Sequence, residues 1–170
     1  LLIGSTAANG GAGETYVVYG KPSGFSASFE LSTLNGSNGF LLAGIDADDN
    51  SGRPASSAGD FNGDGFDDLL IHAMGGDPGG VANAGESYLV FGAAGGFGAT
   101  FDLSTLNGTN GFILEGIDPN DASFYSARGA GDVNGDGFDD ILIGADGADP
   151  GGINNAGESY LIFGAAGGFA

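Results

Sequence analysis

Asp60-Phe61-Asn62-Gly63-Asp64-Gly65-Phe66-Asp67-Asp68 returns 72 positions later as Asp132-Val133-Asn134-Gly135-Asp136-Gly137-Phe138-Asp139-Asp140. Side-chain oxygens at positions 1, 3, 5 and 9 alternate with small or outward-pointing residues, so a tightly curled backbone can aim them at one point. Glycine at position 6 permits the turn that brings the carbonyl of position 7 round to the same point. The ligand set expected in the first copy is Asp60, Asn62, Asp64, the carbonyl of Phe66, and Asp68. In the second it is Asp132, Asn134, Asp136, the carbonyl of Phe138, and Asp140. A polar hairpin turn would use the same residue types, but recurrence of the whole set in register favours a cation cage.

Hard oxygen donors without a neighbouring His or Cys suit Ca²⁺ better than zinc or copper, and Mg²⁺ demands a more rigid octahedron. The loop opens like an EF-hand, yet position 12, where that motif places a bidentate Glu, holds Ile71 and Ile143. These continue the apolar runs Asp68-Leu69-Leu70-Ile71 and Asp140-Ile141-Leu142-Ile143, which read as buried strands. Each loop is therefore expected to join two strands.

Composition narrows the partners. Twenty-two acids against three bases give a formal net charge of −19, which argues against electrostatic binding to nucleic acid or to an anionic membrane. Two bound Ca²⁺ ions would bring that to −15 (−19 + 4) and relieve the worst local repulsion, coupling folding to the metal. Cysteine is absent, which removes disulfides and thiolate metal sites. Oxygen-only calcium loops work where calcium is abundant, roughly 10⁻⁴ to 10⁻³ M for extracellular modules, so an extracellular or cell-surface location is expected. No apolar run approaches the ~20 residues of a membrane-spanning helix, so membrane insertion is not expected.

The same 72-residue offset organises the rest of the chain. Phe29-Glu30-Leu31-Ser32-Thr33-Leu34-Asn35-Gly36-Ser37 recurs as Phe101-Asp102-Leu103-Ser104-Thr105-Leu106-Asn107-Gly108-Thr109. Gly85-Glu86-Ser87-Tyr88 recurs as Gly157-Glu158-Ser159-Tyr160, with a degenerate earlier copy at Gly13-Glu14-Thr15-Tyr16. The chain holds about 2.4 units (170/72): a partial repeat over 1–38, a complete one over 39–110 with calcium loop 60–68, and a near-complete one over 111–170 with calcium loop 132–140. Strands are expected near 39–45, 53–59, 67–73 and 86–91, and single helical turns at 31–34 and 103–106. Runs such as Ser87-Tyr88-Leu89-Val90-Phe91 are apolar on consecutive residues and need cover on both faces. Small four-stranded sheets stacked radially supply it.

Gly59-Asp60-Phe61-Asn62-Gly63-Asp64-Gly65-Phe66-Asp67-Asp68-Leu69-Leu70-Ile71, with its second copy, resembles the FG-GAP repeat of integrin alpha chains and of bacterial surface and secreted proteins. That resemblance implies an all-β fold of four-stranded antiparallel β-propeller blades, with the loop in the hairpin between a blade's first two strands. It further implies structural calcium and a role in adhesion or assembly. Closed propellers take four to eight blades, so 2.4 repeats imply open blades or a ring completed by other copies or flanking repeats. An unpaired terminal edge would favour strand addition by another copy.

The remaining signals are modest. His72, the single histidine, is expected to pack or face solvent, because nothing in the repeat marks a nucleophile and an orienting partner around it. Carboxylates that recur in every unit suit a scaffold better than a hydrolytic pair, so enzyme activity is not expected. Asn35-Gly36-Ser37 and Asn107-Gly108-Thr109 fit the glycosylation acceptor pattern, although Asn-Gly is also a tight-turn pair. The reading is a calcium-stabilised structural or adhesive module whose ligand is a protein or a glycan. The alternatives are a subunit of a self-assembling filament and, less favoured, the non-catalytic propeller part of a larger secreted enzyme.

Overall fold

The structure is a computed structural model that describes residues 1–119 and 123–167. The described residues form eleven strands, in chain order β1 (Leu2–Ser5), β2 (Glu14–Val18), β3 (Gly39–Ala43), β4 (Ala55–Gly59), β5 (Asp68–Ala73), β6 (Glu86–Val90), β7 (Thr100–Asp102), β8 (Gly111–Glu115), β9 (Ser123–Gly131), β10 (Asp140–Ala145) and β11 (Glu158–Ile162). The only helical elements among the described residues are short 3-10 turns, two of them at Leu31–Thr33 and Leu103–Thr105, where the repeated Leu-Ser-Thr predicts them. The protein is all-β.

Three small sheets form, ordered β1-β2-β3-β7, β4-β5-β6-β8 and β9-β10-β11. In each, the tyrosine of the Gly-Glu-x-Tyr motif lies opposite an isoleucine: Tyr16 with Ile3, Tyr88 with Ile71, Tyr160 with Ile143. That register makes β1, β5 and β10 counterparts. Sequence unit and sheet are out of phase, since β3 adds to the sheet of β1 and β2 while β4 begins the next. Each tyrosine hydroxyl donates to the glutamate two residues before it, on the same strand face (Tyr88 Oη to Glu86 Oε2, 2.8 Å; Tyr16 to Glu14 and Tyr160 to Glu158 likewise). This accounts for the recurrence of Glu-x-Tyr in all three copies.

The consecutive apolar residues of β5 and β6 are explained by their position between two other sheets. Alternate residues point to opposite faces. Leu70, Leu89 and Phe91 pack with Ala127, Ile141 and Ile143 of the third sheet, whereas Ile71, Tyr88 and Val90 pack with Val17, Phe40 and Leu42 of the first. Both faces are buried, and each such side chain contributes about 1.5–3 kcal/mol. In the third sheet the same positions lack that cover: Leu142 is 43% exposed, Leu161 39% and Phe163 52%, while their counterparts Leu70 and Leu89 are fully buried and Phe91 nearly so.

His72 belongs to this sandwich and not to the surface. It is fully buried on β5, with Nδ1 2.6 Å from Ser87 Oγ and Nε2 3.2 Å from the carbonyl of Ala127 on β9. The carbonyl can only accept, so Nε2 carries the proton and Nδ1 accepts from the serine. The ring thus ties the second sheet to the third, and burial holds its pKa down at about 4. In the first sheet the counterpart of His72 is Gly4, and there the hydroxyl of Thr15, the counterpart of Ser87, is buried without a partner.

Candidate metal loops

Each acidic loop leaves the end of one strand and enters the next. Residues 60–67 connect β4 to β5 and residues 132–139 connect β9 to β10. Gly63 and Gly65 adopt φ of +75° and +89°, and Gly135 and Gly137 +78° and +96°, the left-handed conformations that the curl requires.

The two loops repeat one hydrogen-bond pattern. Asp60 accepts from the N–H of Asp64 and Gly65 (both 2.9 Å), Asn62 Oδ1 from Asp64 N–H (2.9 Å), and Asp64 Oδ1 from Phe66 N–H (2.9 Å). Asp132 accepts from Gly135, Asp136 and Gly137, Asn134 from Asp136, and Asp136 from Phe138, at 2.7–3.0 Å. In both loops the asparagine amide donates to the aspartate two residues on, Asn62 to Asp64 at 3.0 Å and Asn134 to Asp136 at 2.8 Å. The side chains at positions 1, 3 and 5 therefore wrap the loop's own backbone.

Position 9 differs from the others. Asp68 and Asp140 are fully buried. Asp68 accepts from Phe61 N–H at 3.0 Å and from Gly92 N–H at 2.8 Å, so it fastens the loop to the end of β6. Asp140 repeats this with Val133 (2.8 Å) and Gly164 (3.0 Å) beyond β11. Burial pushes the Asp68 carboxyl up to about 6, against the pull of the Gly92 and Phe61 N–H groups.

The loops also touch each other, which periodicity did not reveal. Asp139, at position 8 of the second loop, accepts from Asp60 N–H at 2.8 Å, and its own N–H donates to the Asp60 carbonyl at 3.1 Å. The Phe138 ring occupies the space that a side chain on Gly63 would need. Asp67, the counterpart of Asp139, is exposed. Asp139→Ala is therefore expected to cost about 1.5–2 kcal/mol by removing a charged acceptor from a partly buried N–H. Asp67→Ala should stay within about 0.5 kcal/mol. Equal midpoints for the two variants in urea would contradict this.

As the loops stand, no three acidic or imidazole side chains among the described residues converge closely enough to hold a metal. The donor chemistry nevertheless suits a hard cation: oxygen-only, with carboxylate lone pairs in addition to those taken by N–H groups. Asn35 and Asn107 are both exposed, and each Oδ1 accepts from the backbone N–H (3.0 Å in each) and hydroxyl of the Ser37 or Thr109 two residues on. Sequence reasoning also passed over Asp49. It is buried, with its carboxyl pushed up to about 6 by burial and then by the charges of Glu86, Asp46 and Asp77. Its local sequence, Asp46-Ala47-Asp48-Asp49, reads only as a polar turn, because much of the crowding comes from Glu86 on β6 and Asp77 in the loop that leads into it.

Small, mainly antiparallel sheets, two of them with twinned acidic loops in a hairpin, define a β-repeat protein with propeller-like blades. Residues 53–90 and 124–162 each match the FG-GAP repeat, so the chain carries two repeats of the FG-GAP repeat family. No curated protein matches the chain.

Proposed function

We propose that this chain is a calcium-stabilised structural module of an extracellular repeat array, adhesive in role and without catalytic activity. The observation that carries the reading is the recurrence, in the 60–68 and 132–140 loops, of the same side-chain-to-backbone hydrogen bonds from positions 1, 3, 5 and 9, at one contact between the second and third sheets. Ca²⁺ supplies charge neutralisation there. Asp60, Asn62, Asp64, the Phe66 carbonyl and Asp68 would hold one ion, and Asp132, Asn134, Asp136, the Phe138 carbonyl and Asp140 the other. A formal charge of −19 on 170 residues makes bound cations the natural partners, and millimolar calcium outside cells matches the affinity range of such loops.

Titration calorimetry of the whole chain with CaCl₂ is the test. Two sites are expected, falling to one in Asp64→Ala or Asp136→Ala and to none in the double variant, while the far-UV spectrum in chelator stays that of the wild type. Unaltered heat in the double variant would remove the loops from consideration.

A second reading, a filament of end-to-end copies, is favoured by the edges. Strands β1 and β11 end the first and third sheets, and an open edge is a template for another strand. Particle mass in calcium and then in chelator separates the filament from a discrete module.

A further inference from the structure

The contact between the first two sheets is sealed by a segment from further along the chain. β7 runs parallel to β3, with Leu42 opposite Phe101, and the 3-10 turn that follows sets Leu103 fully buried among Leu42, Ile71, Tyr88 and Val90. Phe97 stacks on Phe40 with ring centroids 4.2 Å apart. The earlier copy of the motif lies at the corresponding place without adding a strand: Phe29 and Leu31, both half-buried, line a cleft with Ile3 and Val18, the counterparts of Ile71 and Val90.

The same socket recurs once more. Leu114, Ile143, Tyr160 and Ile162 occupy the counterpart positions of Leu42, Ile71, Tyr88 and Val90, and they line a cleft of about 440 Å³ between β8 and β11. Tyr160 and Ile162 are only half-buried where Tyr88 and Val90 are fully buried. β8 forms the outer edge of its sheet, as β3 would without β7. The 170 residues contain two Phe-acid-Leu-Ser-Thr-Leu segments, and both are seated elsewhere.

We propose that the β8 edge and the cleft beside it form a docking site for a third segment of this same motif, contributed by a further repeat. The segment adds to β8 as a parallel strand and places its first leucine in the socket, as Leu103 is placed beside β3. One difference is specific to this site. Asp102 pairs with Ala43 in the filled socket, whereas the counterpart of Ala43 here is Glu115. The motif's acid therefore meets a like charge, which weakens docking. The inference rests on repeat geometry and stands apart from the calcium reading.

The test uses a fluorescein-labelled peptide of sequence 97–108 and the intact chain, with polarisation read in calcium and in chelator. Saturable binding is expected. Replacing the peptide's leucine at 103 by Asp should weaken it about tenfold to a hundredfold, the burial of one leucine side chain. Replacing the acid at 102 by Asn should strengthen binding, and Ile117→Asp on the protein, at a 64% exposed position of the cleft rim, should weaken it without changing the fold. Absence of binding, or binding indifferent to the leucine, overturns the proposal. So does a chain that self-associates through this cleft, with Ile117→Asp restoring the monomer and the peptide failing to compete. Loss of the calcium response with peptide binding retained would sink the calcium-module reading and leave the docking site standing.

Discussion

Asp68→Ala is expected to cost about 3–4 kcal/mol, more than any substitution at positions 1 to 8 of its loop, and to do so with or without calcium. Its carboxylate is fully buried and is the acceptor for both Phe61 N–H and Gly92 N–H. Alanine leaves those two donors facing protein, at about 1–3 kcal/mol for each orphaned group. It also frees the loop from β6, so that Phe61, buried between the second and third sheets beside Phe91 and Phe112, loses its fixed position. Asp64→Ala in chelator should lose far less, about 1 kcal/mol, because Asp64 is exposed and its N–H partner Phe66 can turn to water. The comparison separates a carboxylate that fastens the loop to a strand end from one whose proposed role is to hold the ion. Denaturation of the two variants in chelator gives the answer, and similar midpoints would refute the distinction.

Acid is expected to loosen the tie made by His72. Burial keeps its folded pKa at about 4, below the unfolded value of about 6.5, so the unfolded chain takes up the proton first. The stability it contributes is present above pH 6.5 and is lost as pH falls towards 4, amounting to about 2.5 kcal/mol by pH 4.5. Asp49 and Asp68 act in the opposite sense. Their folded pKa values of about 6 lie above those of the unfolded chain, so the folded state gains protons as pH falls through 6 and is favoured there. The total profile is therefore shallow, and a paired variant isolates the histidine. His72→Gln, which can accept from Ser87 and donate to the Ala127 carbonyl, should be about 1 kcal/mol less stable than the wild type at pH 7.5. At pH 4.5 the order should reverse, with the variant ahead by about 1.5 kcal/mol. Parallel profiles in chelator would show that the ring does not remain neutral in the fold.

Much of this architecture was legible because the chain repeats itself. Asp60 to Asp68 announced a curled loop by its alternation of oxygens and glycines, and Leu69-Leu70-Ile71 announced the strand that leaves it. The apolar run Ser87 to Phe91 required cover on both faces, and it lies between two sheets. What stayed hidden is pairing across units. Nothing in Gly39 to Ala43 says that β3 closes the preceding sheet, since its alternation would suit either neighbour. The parallel seating of β7, the grip of Asp139 on Asp60, and the reach of His72 to Ala127 depend on residues 59, 79 and 55 positions apart, and no local periodicity encodes such separations. Asp139 has the composition of a turn residue, and only its neighbour in space makes it a clasp.

Thermal unfolding of the wild-type chain at a series of calcium concentrations bears most directly on the central claim, that cations held by the 60–68 and 132–140 loops stabilise the sheets. With dissociation constants in the 10⁻⁴ to 10⁻³ M range, about 1 mM Ca²⁺ adds roughly 0.4–1.4 kcal/mol per site, growing with the logarithm of concentration once the sites fill. The melting temperature should rise accordingly, and the Asp64→Ala, Asp136→Ala double variant should not respond. A wild-type chain that melts at one temperature in chelator and in millimolar calcium would contradict the account.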